Sequence, residues 1–137
     1  MSNPPFGGAR RDARERALHL LYEADQRDIE GDEVVEGQTL PPDEYAQLLV
    51  RGVRRMRHDI DALISEHSVG WTLERLAHMD RLVLEVAIYE LMEQDAVPTA
   101  VALNEAVDLA HEYGTDDSGK FVNGVLASIA RELRGEG

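Results

Sequence analysis

The chain has 137 residues, a formal net charge of −13 and no cysteine. That length suits a single domain with a real core, and the lack of thiols excludes a disulfide framework, thiolate chemistry and cysteine-ligated zinc. No stretch resembles a signal-peptide core or a membrane span of about twenty apolar residues, so the expected location is the cytoplasm. Aromatic residues are few and no segment alternates with a period of two, which points to an all-α class.

Residues 1–8 include Pro4, Pro5, Gly7 and Gly8 and are expected to be disordered, leaving 9–137 as the folded domain. The spacing predicts a helix from Ala9 or Arg10 to about Arg27 that buries Ala13, Ala17, Leu20, Leu21 and Ala24. Arg10 and Arg14 stand four residues apart with Arg11 nearby, so these arginines are expected on one exposed side near the helix start. Cations there oppose the helix macrodipole, a mild hint of use. The plain alternative is a solvated helix end, with Asp12 and Glu15 pairing locally with them.

From 29 to 42 the apolar pattern lapses and Gly31, Gly37, Pro41 and Pro42 accumulate, predicting a loop or frayed helix end with an acidic surface. Asp43 can cap the next helix. Tyr45, Leu48, Leu49, Val53, Met56, Ile60, Leu63 and Ile64 keep helical spacing to about Glu66. Arg51, Arg54, Arg55 and Arg57 face away from that stripe and read mainly as a solvated face, with a second binding surface as the lesser alternative.

Ser68 and Gly70 interrupt the pattern. Trp71, Leu73, Leu76 and Met79 suit a short helix or turn packed on the core. From about 80 to 94 the sequence is apolar almost all round, which predicts a central, buried helix. Glu85, Tyr89 and Glu90 are expected to form its polar strip. The step from Val97 to Pro98 ends that unit.

A further helix carries Ala100, Leu103, Ala106, Val107 and Ala110 as one stripe, and Gly114 is expected to end it in a left-handed conformation. Asp116, Asp117 and Ser118 offer oxygens to cap the last helix, whose stripe is Phe121, Val122, Val125, Leu126, Ile129, Ala130 and Leu133. Gly124 within it costs about 1 kcal/mol relative to Ala, so close approach of a neighbouring helix is expected there. Asn104, Glu105, Lys120 and Asn123 read as solvated face residues.

The negative charge argues against nucleic acid at first sight, but its distribution matters more than its sum. Between residues 23 and 44 nine carboxylates face Arg27 alone, while arginines gather at 10–16 and 51–57. Over a Debye length of about 8 Å, a phosphate feels the nearby patch more than the distant acid. RNA binding therefore survives as a reading, weak without a partner.

Catalysis finds no support. His19, His58, His67, His78 and His111 are scattered, with no HExxH pair or carboxylate at ligand spacing, so no metal site is expected. Asp116 and Asp117 sit where capping explains them better than acid/base work. Phosphate-cradling glycine loops are absent, and Ser118 lacks a nucleophile elbow. No cofactor is expected.

The segment LNEAVDLA, an aromatic-glycine pair, and then DDSGKFVNGVL resembles the C-terminal signature of the NusB family of transcription antitermination factors. RRDARERALHLLYE, GV followed by IDALI, RLVLEVAIYEL and Pro98 fit in the same order, so the resemblance spans almost everything beyond the first eight residues. It implies a single compact domain of about six to seven helices, with the 45–66 run divided near His58–Asp59.

The resemblance also implies a non-catalytic factor that binds boxA RNA together with NusE, a small-subunit ribosomal protein. The pair would help RNA polymerase, within its antitermination complex, read through terminators in ribosomal RNA operons. Carried over by residue, the RNA contacts would be Arg10, Arg11, Arg14, Asp117, Lys120 and Phe121. Phe121 would either stack a splayed base or serve as a core aromatic. The NusE surface would include Tyr22 and Asp80. Asp12 and Glu85 depart from the family pattern, where relatives carry basic residues.

Two competing classes remain from sequence. Similar domains precede the catalytic region of bacterial ribosomal RNA cytosine methyltransferases, which also need an S-adenosylmethionine-binding domain. A structural homodimer or protein-binding adaptor would keep the helices without salt-sensitive RNA affinity.

Overall fold

The computed structural model describes residues 8–135. In order it contains α1 (Gly8–Arg27), α2 (Gly31–Glu36), α3 (Glu44–His67), a 3-10 turn (Leu73–Arg75), α4 (His78–Glu93), α5 (Thr99–Tyr113) and α6 (Ser118–Arg134). No strand occurs among the described residues, as the absence of period-two patterning requires. The disorder expected at the N-terminus falls on residues 1–7, outside the described residues; Gly8 already belongs to α1.

The nearly stripe-less helix α4 packs against α1, α3, α5 and α6. Its Leu82, Val83, Leu84, Val86, Ala87, Ile88 and Leu91 are all buried, so apolar residues all round meet protein all round. The expected polar strip is not on the surface: Glu85, Tyr89 and Glu90 are buried as well. Glu90 meets Arg14 of α1 and Glu85 meets Arg57 of α3, so neither buried carboxyl group lacks a partner.

Segment 29–42 is not a plain loop. Asp28, with φ of 56°, takes the left-handed position after α1, and the Ile29 amide donates back to the Ala24 carbonyl at 3.0 Å. The chain then re-enters as α2, whose Val34 and Val35 join the core. Two adjacent valines amid carboxylates give too little periodicity to signal a helix of six residues.

Helix α3 is continuous through His58–Asp59 rather than divided. Buried Val53, Ile60 and Ile64 hold one face on the core across that point, and nothing there breaks the backbone ladder. Asp43 caps it as expected, accepting from the Ala46 amide at 2.9 Å. Leu48 departs from the stripe and is exposed. Gly52 marks a close approach of α3 to α4: a Cβ there would overlap the Tyr89 ring.

The face that α5 buries is rotated from the expected stripe. Ala102, Glu105, Ala106, Leu109 and Ala110 are buried, while Ala100 is exposed. Gly114 has φ of −112°, an extended conformation rather than a left-handed one. It is required for closeness instead, because a Cβ would overlap Ser118 and lie 2.7 Å from Asp80 Oδ1. Gly124 is the reverse case. It is exposed and a Cβ would meet nothing within 4 Å, so the expected close helix approach does not occur there.

Candidate nucleic-acid interface

Of the three arginines expected on one exposed side of α1, only two are available to solvent. Arg14 is 2% exposed, and its Nε donates to Glu90 at 3.0 Å. The Tyr45 hydroxyl donates to the same carboxylate from α3, so Glu90 ties α1 and α3 to the central helix. Burial, reinforced by Glu90, pushes the Tyr45 phenol above its ordinary value. Position 14 turns inward because it lies three residues before Ala17 and four before Leu18 on the buried face.

Arg10 lies over the Tyr45 ring, its guanidinium carbon 3.8 Å from the centroid. Arg11 reaches α5, donating to both oxygens of Glu105 at 2.9 and 2.7 Å and to Asp108 at 2.8 Å. The arginines pair across helices rather than with Asp12 or Glu15. Glu105, expected on a solvated face, is buried. The hydrogen bond from Arg11 holds its carboxyl below the ordinary range against the opposing effect of burial.

The turn between α5 and α6 is held by Ser118, not by its aspartates. Ser118 Oγ accepts from the Thr115 amide at 2.9 Å and donates to Asp80 Oδ2 at 2.9 Å. Asp117 occupies the cap position without making a side-chain cap bond. Burial raises the Asp80 carboxyl above its usual value, partly offset by the Ser118 bond.

Asp80, Ser118, Asp117 and Phe121 line a cleft of about 290 Å³ together with Trp71 and Arg75. Trp71 is not packed on the core. It is half exposed, and its ring meets Phe121 edge-to-face with centroids 5.8 Å apart. Leu73, Leu76 and Met79 do pack partly against the core. Phe121 is half-buried and touches both core and cleft, while Lys120 beside it is exposed. Sequence periodicity had no means to separate Trp71 from its neighbours, since one exposed aromatic in a broken segment resembles a core residue.

Tyr22 and Asp80 do not share one cluster. Tyr22 is exposed at 41% and packs on the His78 ring at 4.9 Å. His78 Nε2 in turn lies 2.8 Å from Asp25. Asp25 also pairs with Arg54 at 3.0 Å and Arg57 at 2.8 Å. Arg57 reaches buried Glu85 at 2.8 Å, so much of the 51–57 cluster is structural rather than solvated. Burial leads the effects pushing Glu85 up to about 8, with Asp61 adding to it and Arg57 opposing.

One histidine meets a carboxylate distant along the chain through the fold. His67 Nε2 lies 2.8 Å from Glu132, sixty-five residues on, and Glu66 joins them closely enough for the three to share a cation. His67 Nδ1 meets Ser128 at 2.6 Å. Hydrogen bonds of His67 to Ser128 and Glu132, which tie α3 to α6, account for this geometry.

Among the described residues, no helix is long and apolar enough to cross a membrane. The NusB family model matches residues 11–131. A transcription antitermination protein NusB of Saccharopolyspora erythraea is 48% identical, over 90% of this chain and 87% of that protein. The Bacillus subtilis protein of the same name is 40% identical over 90% and 96%. Among solved structures, T. maritima NusB superposes with a TM-score of 0.81 at 36% identity, covering 96% of this chain and 94% of the other. A crystal structure of antitermination factors NusB and NusE in complex with dsRNA matches with a TM-score of 0.76 at 32% identity, covering 90% and 96%. With the family model spanning nearly the whole domain and the fold agreeing throughout, the chain belongs to the NusB family.

Proposed function

We propose that this protein is a non-catalytic transcription antitermination factor that binds boxA RNA jointly with a NusE partner, acting in the cytoplasm on ribosomal RNA operons. The observation that carries this reading is the match of 90% of the chain to a NusB solved with NusE and RNA. Within this chain, Arg10, Arg11 and Lys120 contact phosphate, Asp117 accepts from base edges, and Phe121 stacks a base. Arg14 is a positioning residue: its bond to Glu90 fixes the helix that carries the other two. Tyr22, with its exposed ring, serves the partner surface. Asp80 supports the α5–α6 turn from beneath.

The test is a binding titration of single-stranded boxA RNA, with and without NusE, over a range of salt. Three phosphate contacts give a slope of log K against log salt of about −2, at about −0.7 per contact. The partner is expected to raise affinity, because its own contacts offset repulsion from a chain of charge −13. Absence of RNA binding in both arms defeats the reading and favours a protein-only adaptor.

A further inference from the structure

We propose that Trp71 is a nucleobase platform: the cleft it forms with Phe121 takes one splayed base of single-stranded RNA, and Arg75 and Lys120 hold the flanking phosphates. The inference rests on the RNA-binding reading above and adds two residues to it, Trp71 and Arg75.

Three observations converge on this cleft. The first is the aromatic pair. The ring planes are inclined at 60° with centroids 5.8 Å apart, so one ring's edge meets the other's face and most ring faces lie outside the contact. Trp71 is 50% exposed, leaving indole surface in water where a planar base can cover it. The cleft of about 290 Å³ lies at the small end of ligand pockets, which suits one planar ring system.

The second is that part of the chain's unpaired positive charge lies at or next to this cleft. Arg11, Arg14, Arg27, Arg51, Arg54, Arg57 and Arg81 all have carboxylate partners. Arg16 and Arg134 donate to carbonyl oxygens, and Arg10 covers Tyr45. Arg55, Arg75, Arg131 and Lys120 are exposed and make no salt bridge among the described residues, and Arg75 is the one of these four that lines the cleft. In so acidic a chain, an unpaired arginine in the cleft and an exposed lysine next to Phe121 in sequence suit a polyanion that carries aromatic bases.

The third is rigidity. Beneath the rings, Asp80 and the Thr115 amide bind the same Ser118 hydroxyl, and Gly114 lets the turn close against them. The turn that carries Phe121 is therefore fixed before any ligand arrives. Asp117 at the rim makes no cap bond. A carboxylate repels phosphate but accepts base N–H donors, so the base and not the backbone enters here.

Trp71 is the chain's one tryptophan, so its fluorescence reports this cleft alone. The experiment titrates the intact protein with single-stranded boxA RNA, with an abasic oligonucleotide of the same length, and with NusE alone. Expected results are quenching by the RNA and little response to the abasic strand or to NusE. Trp71→Ala is expected to weaken RNA binding roughly 5- to 150-fold, the range for losing one stacked base, at an unchanged salt slope. Trp71→Phe is expected to retain most of the affinity, and circular dichroism of both variants controls for folding. Arg75→Ala is expected to flatten the slope by about 0.7. RNA binding with silent fluorescence and a neutral Trp71→Ala overturns the platform while leaving the RNA reading intact. No RNA binding by the wild type overturns both. A fluorescence change with NusE but not with RNA assigns the cleft to the protein partner and overturns the proposal.

Discussion

Arg14 Nε lies 3.0 Å from Glu90 Oε2, with the two side chains 2% and 1% exposed. A residue whose sequence position suggests RNA contact is thus half of a buried ion pair joining α1 to α4. Removing one partner leaves a charge stranded in the interior, which costs about 3–5 kcal/mol. Arg14→Ala should lower stability by about that amount in denaturant unfolding, whereas Arg14→Met with Glu90→Leu should recover most of the loss. Loss of RNA affinity from Arg14→Ala without loss of stability would return this residue to the surface.

Gly52 and Gly124 make a matched pair of tests. Gly52→Ala forces a Cβ into the Tyr89 ring, and overpacking should destabilise by about 1–3 kcal/mol despite better helix propensity. Gly124→Ala adds a methyl to open space and should stabilise by up to about 1 kcal/mol. Unfolding midpoints moving in opposite directions would support both placements. A destabilising Gly124→Ala would mean that the position is covered.

Acid should loosen the clasp between α1 and α5. Arg11 depresses the folded-state pKa of Glu105, so below the unfolded value of about 4.5 the unfolded chain binds more protons than the native one. This contribution is fully present above that pH and is lost as pH falls through the depressed value. Stability measured from pH 6 to pH 3 should therefore fall less steeply in Arg11→Ala, which begins from a lower plateau. Equal slopes would show that other carboxylates dominate.

The salt dependence of RNA binding separates surface from interior. Arg10→Ala and Lys120→Ala together should flatten the slope by about 1.4 and weaken all RNAs alike, since phosphate contacts position without specifying. The double variant should bind NusE as the wild type does, because Tyr22 is untouched. An unchanged slope would move the phosphate path to the arginines at 51–57.

Sequence by itself determined the helical class, the course of α1, α4 and α6, the Asp43 cap and the family. Each is written in local periodicity, in a single capping residue, or in motifs that are contiguous along the chain. It could not tell that Arg14 turns inward, that Glu85 and Glu90 lie in the core, or that Trp71 stays outside. A charge can be buried only where another helix supplies its counter-charge, and Glu90 is seventy-six residues from Arg14. The glycines follow the same rule. Gly52 and Gly124 are both helical glycines, but a crowding side chain from elsewhere in the chain reaches only Gly52. Burial of a polar group or a bare backbone depends on what arrives from a distance, so the tertiary structure alone decided those positions.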